Sequence, residues 1–333
     1  MNKLLTISVA AYNLENMIQQ CLNSFIDDEI LEKVEVLITD DGSKDRTREI
    51  VATYEQKYPN TFHLIAQKNA GPGSTVNSGI LHATGKYFRM VDGDDWINTP
   101  EMKSYLAYLE HHNTDMICTN YCCVDDKTGK RQSQNMRAPQ WDTELNFADI
   151  AENIELSMHN VTFRTQILQE HRIHLDNGFY TDMEYLLFPS IYVKTVAFLN
   201  QTIYMYRVSL DTQSMNIHSL QKNEKMHRIV LEHLAEYYQK YHESASCIQQ
   251  IDTYLKKRIA DLTGTQLSIY LSFDDTKLYK KEVQNFVSNM HLEYPAIYSE
   301  MMKLKTYKLL IYSGFMSYKL VSFIHRKRLG ITK

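Results

Sequence analysis

Three carboxylates fall within four residues at Asp92-Gly93-Asp94-Asp95, directly after the apolar run Tyr87-Phe88-Arg89-Met90-Val91. Like charges this close repel, and burial raises their pKa values unless a cation compensates. A hard divalent ion, Mg²⁺ or Mn²⁺, that takes one or two carboxylates together with phosphate oxygens is the usual compensation. Gly93 leaves room for a ligand or the backbone to come close. The competing reading is a solvated acidic turn ahead of a helix, because Thr99-Pro100 is a good helix start with proline at its first position. Two more polar clusters precede this one, Tyr12-Asn13 and Asp40-Asp41-Gly42-Ser43. A carboxylate there can accept from a base N–H or a ribose hydroxyl, while helix capping is the alternative for Asp40, Asp41 and Asp45.

The elements around these clusters alternate. Apolar runs at 4–11, 34–38, 62–66, 86–91 and 116–119 read as strands. Helical spacing occupies 15–25, 44–58, 74–83 and 100–112, with Ser43 or Asp45 capping the second of these. Short alternating strands and helices predict an α/β fold, a mostly parallel, Rossmann-like sheet flanked by helices. Such sheets bind ligands outside the carboxyl ends of their strands, where all three polar clusters fall. The Gly71-Pro72-Gly73-Ser74-Thr75 loop has no lysine and is no P-loop, and no GxGxxG follows the first strand. Residues 125–130 read as a hairpin turn.

Composition narrows the class. The chain has 333 residues, 44% hydrophobic and 23% charged, enough for a main domain and a smaller one. A net charge of −4 argues against a nucleic-acid partner, which calls for a basic excess. Five cysteines without CxxC pairs indicate neither a disulfide framework nor a zinc site, and a reducing cytoplasm fits them. The short apolar run at 1–11 reads as the first strand and not as a secretory leader. No apolar segment reaches the ~18 residues of a membrane-spanning helix.

Four stretches together carry a resemblance: ISVAAYN at 7–13, DDGSKDRT at 40–47, KNAGPGSTVNSGI at 68–80 and GKYFRMVDGDDW at 85–96. Their wording, order and spacing resemble family 2 glycosyltransferases of the GT-A fold over roughly the first hundred residues, and more loosely to 208. The resemblance implies inverting transfer of a sugar from a nucleotide sugar, usually a UDP-sugar, to a glycan or lipid-linked acceptor, as in bacterial cell-envelope polysaccharide assembly. By motif position Asp41 would hold the uracil, with Ala10, Ala11 and Tyr12 lining its pocket. Asp92 with Gly93 would meet the ribose, and Asp94 with Asp95 would hold Mn²⁺ or Mg²⁺ beneath the diphosphate. Members carry an acidic pair about ninety residues later, and Asp182 falls at its catalytic-base position. Thr181 replaces the usual glutamate, and Glu184 is the fallback base. Val76 stands where many relatives carry arginine. His159, in a stretch that borders the acceptor in relatives, is read first as a structural hydrogen-bonder.

The expected division is a GT-A nucleotide-sugar transferase domain at 1–215 and a C-terminal helical domain at 216–333. Residues 204–207 resemble the strand that closes the catalytic domain, and the 211–218 loop, with Gln213, Ser214 and His218, either covers the diphosphate or serves as a linker. Met226, Ile229, Val230, Leu234, Tyr237 and Tyr241 form one apolar stripe, and Ile248, Ile251, Leu255, Ile259 and Leu262 another. From Lys303 to Lys333 there are eight basic residues and no acidic one, interleaved with large apolar side chains. That pattern suits a peripheral contact with an anionic membrane through 303–333. A packed terminal helix and a homo-oligomer contact are its alternatives. A sugar-nucleotide nucleotidyltransferase and a non-catalytic nucleotide-sugar binding protein are the competing functions.

Overall fold

The computed structural model describes residues 3–209 and 216–331. The chain divides into two compact units, Met1–Leu210 and Asp211–Lys333.

In the first unit β1 (Leu5–Ala11) is nearly all buried, as a parallel strand covered on both faces should be. It pairs in parallel with β2 (Val34–Asp40) on one side and with β4 (Tyr87–Asp92) on the other, while β3 (Phe62–Ala66) lies outside β2. Strand order therefore reverses at β1, which opens the crevice where such sheets bind ligands.

The helices between these strands are α1 (Ile18–Asn23), α2 (Asp28–Lys33), α3 (Thr47–Lys57) and α4 (Pro72–His82). The expected cap of α3 shifts. Its N-cap is Arg46, while Ser43 and Asp45 spend their side chains on the β1–α1 loop, accepting from Asn13 N at 2.9 Å and Glu15 N at 3.0 Å. A second Asp45 oxygen accepts from Thr47 N at 3.0 Å, so the helix starts three residues later than its spacing predicts. The loops after β1 and β2 are thus tied to each other.

Beyond β4 the sheet is mixed, with antiparallel pairs and one further parallel pair. After β5 (Trp96–Ile97) and α5 (Thr99–His111), β6 (Met116–Asp125) runs well past its expected end and turns back as β7 (Arg131–Gln134). The turn is held by Thr128 N donating to the Asp125 carboxylate at 2.8 Å. β8 (Glu144–Asn146), α6 (Phe147–Ile150), β9 (Val161–Arg164), α7 (Thr165–Glu170), α8 (Asp182–Ser190) and β10 (Thr195–Val208) complete the unit. β9 enters antiparallel between β4 and β6, and β10 runs parallel to β6 and antiparallel to β5.

The second unit is helical: α9 (Ile217–Lys222), α10 (Glu224–His242), α11 (Gln249–Ser272), α12 (Thr276–Glu293), α13 (Pro295–Met301), α14 (Lys305–Tyr312) and α15 (Tyr318–Arg328). α11 is its axis, packed against α10, α12, α13 and α15. The buried face of α10 is rotated from the stripe read in the sequence. Leu231, Ala235 and Tyr238 are inside and Ile229 is outside. Ile248 is likewise exposed, and Leu262 is half-buried. Gln213 and Ser214 lie outside the described residues. His218 sits in the first turn of α9, its N–H donating to the Asn216 cap at 2.9 Å.

Candidate active site

The carboxyl end of β1 joins the two acidic clusters. Ala10 is registered with Asp92 and Ala11 with Asp40. Ala11 O accepts from Asp41 N at 2.8 Å, and Ala10 O from Gly93 N at 3.0 Å. A Cβ on Gly93 would come within 2.7 Å of Ala10 O, so only glycine lets the β4 turn lie this close to β1. Tyr12 stands past the strand end, 45% exposed.

Asp41 is buried, and its carboxylate accepts from Gln67 Nε2 at 2.7 Å, Ala70 N at 2.9 Å and Gly71 N at 2.9 Å. It therefore anchors the glycine-rich loop that leads into α4. Gly71 has φ +97°, and a Cβ there would overlap Asn177 O at 2.1 Å. Gly73 would meet Asp176 O at 1.7 Å and the Thr181 hydroxyl at 3.0 Å. The two glycines let the loop press against residues 176–181, which lead to Asp182. Asn77 locks the same contact by exchanging two 2.8 Å hydrogen bonds with the Leu175 backbone. Val76, in the arginine position, is buried.

The three clustered aspartates differ in surroundings. Burial, then the charges of Asp94 and Asp182, pushes Asp92 up to about 7. Burial also raises Asp94, while its own backbone N–H and the Arg207 cation pull it back. Asp95 is 1% exposed and turned inward: its Oδ2 accepts from the Tyr204 hydroxyl at 2.6 Å and its Oδ1 from Arg207 N at 2.6 Å. Burial and the two neighbouring carboxylates raise Asp95 strongly. Arg207 Nε also donates to Asp94 O at 2.7 Å, its guanidinium pairs with Asp126, and it lies 5.0 Å over the Trp96 ring. Among the described residues no side chain hydrogen-bonds the Asp94 carboxylate, whereas Asp95 holds β10.

His159 comes closer than its motif suggested. Its ring contacts those of Tyr121, Tyr204 and Tyr206, its Nδ1 lies 2.7 Å from the Ser157 hydroxyl, and a ligating atom lies within 4.8 Å of oxygens of Asp92 and Asp95. Burial and the Arg89 charge push it down to about 4, so it is a neutral imidazole at pH 7. Arg89 is fully buried, donates to the His159 carbonyl and bonds Thr162 Oγ1 at 3.0 Å.

The opposite wall is the start of α8. Asp182 is its first residue and half-buried; burial raises its carboxyl, and the N–H groups of Asp182 and Met183 offset this. Glu184 is buried, accepts from Asp176 N at 2.7 Å, and is pushed up to about 8 by burial and its acidic neighbours. It holds its proton more tightly than an ordinary carboxyl and is turned into the fold. The structure thus brings Asp41, Asp92, Asp94 and Asp182 around the β1 crevice and adds His159. Tyr204, Arg207, Arg89 and Gln67 were not read as site residues, and only the family-like wording of 204–207 pointed near two of them.

The family model described as Glycosyl transferase family 2 matches residues 6–172. The putative glycosyltransferase EpsH of Bacillus subtilis is 26% identical over 219 residues, covering 62% of this chain and 61% of its own length. The poly(ribitol-phosphate) beta-N-acetylglucosaminyltransferase TarS of Staphylococcus aureus is 26% identical over 214 residues, covering 63% of this chain and 36% of its own. This chain therefore spans less than two thirds of both. The crystal structure of TarS 1–349 in complex with UDP-GlcNAc superposes with a TM-score of 0.62 at 18% identity, covering 98% of this chain and 90% of that one. The Pyrobaculum calidifontis mannosyltransferase PcManGT, in complex with GDP-Man and Mn²⁺, superposes with a TM-score of 0.51 at 13% identity, covering 98% and 87%.

Proposed function

Because the chain belongs to glycosyl transferase family 2, we propose that it moves a sugar from a UDP-sugar to a hydroxyl acceptor in cell-envelope polysaccharide or glycoconjugate synthesis. It is an enzyme of the glycosyltransferase class. The TarS complex with UDP-GlcNAc supports a UDP-sugar donor, and the poly(ribitol-phosphate) in the TarS name supports a polymeric glycan-type acceptor. The reading places the enzyme in the cytoplasm, in peripheral contact with the membrane through 303–333. It takes 1–215 as the catalytic domain and 216–333 as a helical domain.

The carrying observation is that Asp182, ninety positions after Asp92 in the sequence, stands close enough for its charge to raise the Asp92 carboxyl. One wall then serves the leaving group and the other the nucleophile. Ala10, Ala11 and Tyr12 border the base pocket and Asp41 shapes it; Asp92 and Gly93 flank the ribose. The residues fit a divalent cation. Their donors are hard oxygens, and burial leaves them short of positive charge beyond what Arg207 supplies. Asp94 and Asp95 would hold that ion, and atoms of Asp92, Asp95 and His159 that could ligate it lie within 4.8 Å of one another. There a Mg²⁺ or Mn²⁺ would supply positive charge to neutralise the departing diphosphate. Asp182 takes the proton from the acceptor hydroxyl as its oxygen bonds to the anomeric carbon. The bond from that carbon to the diphosphate oxygen breaks on the opposite face, and UDP leaves with inversion.

The test is UDP release from a panel of UDP-sugars with Mn²⁺ or Mg²⁺ present. Acceptor-dependent UDP release is expected. Pyrophosphate formation would identify a nucleotidyltransferase, and UDP binding without turnover a binding protein.

A further inference from the structure

The last two helices are amphipathic twice over. On their inner faces Tyr307, Leu310, Tyr318 and Ser322 are buried. Tyr307 Oη donates to Thr263 O at 2.7 Å, Tyr318 Oη to Tyr270 O at 3.0 Å, and Ser322 Oγ to Leu271 O at 2.8 Å. α14 and α15 are therefore fixed on α11 by packing and hydrogen bonds. A helix that packs this way normally turns polar residues outward.

Here large apolar side chains are exposed as well. Leu309 is 52% exposed, Tyr312 79%, Met316 82%, Leu320 62% and Phe323 52%. Among them stand the exposed Lys305, Lys308, Lys319, Lys327 and Arg328. Packing and surface binding, alternatives when only the sequence is read, are thus served by different faces of the same helices. A cavity of about 370 Å³ between α11, α14 and α15 is lined by Leu267, Leu271, Leu309 and Ile324, with Lys305 and Arg328 also in its wall. Apolar volume and cationic groups meet there.

We propose that this outer face is a docking surface for anionic lipid bilayers, with α14 and α15 lying in the headgroup region. Large exposed apolar residues among lysines make the pattern of a helix that rests in a membrane interface. Tyr312 and Phe323 are the aromatic anchors such an interface favours. Charge selects the occupant. The 31 residues from Lys303 carry +8 on a chain of net −4, so the preceding 302 carry −12. A second copy docked face to face would oppose like charges, whereas anionic headgroups complement them. The helices rest on the bilayer and do not cross it, because no described helix is long and apolar enough to span one.

The inference rests on the membrane contact proposed above and gives it a face, but needs neither the donor nor the base assignment. Its test is co-sedimentation of the full chain with phosphatidylcholine vesicles, with and without phosphatidylglycerol. Binding to the anionic vesicles at least about tenfold stronger than to the neutral ones is expected, weakening as salt rises. L309N/M316N/L320N and K308E/K319E/K327E should each lose about tenfold or more while keeping the parent's circular dichroism. Equal binding to both vesicle types, no binding, or variants that bind like the parent would overturn the proposal. So would self-association that the apolar variant abolishes without any vesicle binding. UDP release with a soluble acceptor is read separately. Vesicle binding without transfer counts against the transferase reading alone, and transfer without vesicle binding counts against the docking surface alone.

Discussion

Tyr204 stands 109 residues after Asp95, yet its hydroxyl donates to that carboxylate at 2.6 Å and accepts from Asp92 N at 3.1 Å. One phenol thus fixes both the buried end of the acidic turn and the strand that leads into it. The contact exists because β10 pairs antiparallel with the two-residue β5, Met205 opposite Trp96, which sets Tyr204 behind the turn. Asp94 is then held beside a clamped Asp95, and among the described residues no side chain hydrogen-bonds its carboxylate.

Tyr204→Phe should therefore act on geometry. It leaves a buried carboxylate with one donor fewer and the Asp92 N–H without its acceptor, which costs about 1–3 kcal/mol of stability. Denaturant unfolding reads that loss. Turnover should fall with it, while the UDP affinity of the folded fraction changes less. Full stability and activity in the variant would remove Tyr204 from the site's support.

Much of this was legible because it is local. The strands at β1, β2, β3 and β4 are short apolar runs, each ending in polar residues, and the acidic turn follows its strand directly. What escaped depends on contacts over long sequence separations. Nothing near Asp95 says that both its oxygens face β10, and nothing near Glu184 says that it turns inward to Asp176. His159 reaches the cluster through β9, an antiparallel insertion that breaks the regular alternation. The rotated face of α10 has a simpler cause. Ile229 and Leu231 are both apolar, and only packing on α11 selects between them.

Asp94→Ala removes a carboxylate that no described side chain hydrogen-bonds. Turnover should drop by at least about 10³-fold, because the diphosphate would leave without a compensating charge. Chelation with EDTA should abolish the parent's activity, and added Mn²⁺ or Mg²⁺ should restore it. Steady-state UDP release is the measurement. Undiminished turnover after thorough chelation would exclude a divalent ion from the reaction.

Asp41→Ala should weaken UDP binding by about 1.5–3 kcal/mol, read by calorimetry. The loss has two routes, a missing acceptor for the base and a loosened 67–71 loop that Asp41 now holds. Gln67→Ala separates them, since it frees part of the loop and keeps the carboxylate. Matching losses in both variants would assign Asp41 to the loop and not to the base.

Glu184 gives a pH-dependent prediction. Its carboxyl is raised from 4.5 to about 8 in the folded chain, so the folded state holds its proton more tightly than the unfolded one. Its contribution to stability is full below about pH 4.5 and is lost as pH rises through about 8. Glu184→Gln stays neutral throughout and removes that loss. Between pH 5 and 8 the parent should lose about 2–5 kcal/mol relative to the variant. Parallel stability curves for the two proteins would show that Glu184 ionises normally.

The same burial bears on the chemistry. A base must ionise readily and must face the acceptor, and Glu184 is disfavoured on both counts, its carboxyl raised by burial and its Oε2 bonded to the Asp176 backbone. Asp182 begins α8, where its own N–H and that of Met183 favour the charged form against burial. It is also near enough to Asp92 for its charge to raise that carboxyl. Asp182→Asn keeps the shape and removes the proton acceptor, so turnover should fall about 10²- to 10⁴-fold. UDP affinity should hold, because the base does not touch the nucleotide. Removing a negative charge beside Asp92 should also ease that group's ionisation, shifting its titration downward in NMR of labelled aspartates. If Asp182→Asn turns over like the parent while Glu184→Gln does not, the proton goes to Glu184 and the register of the second acidic site moves by two residues.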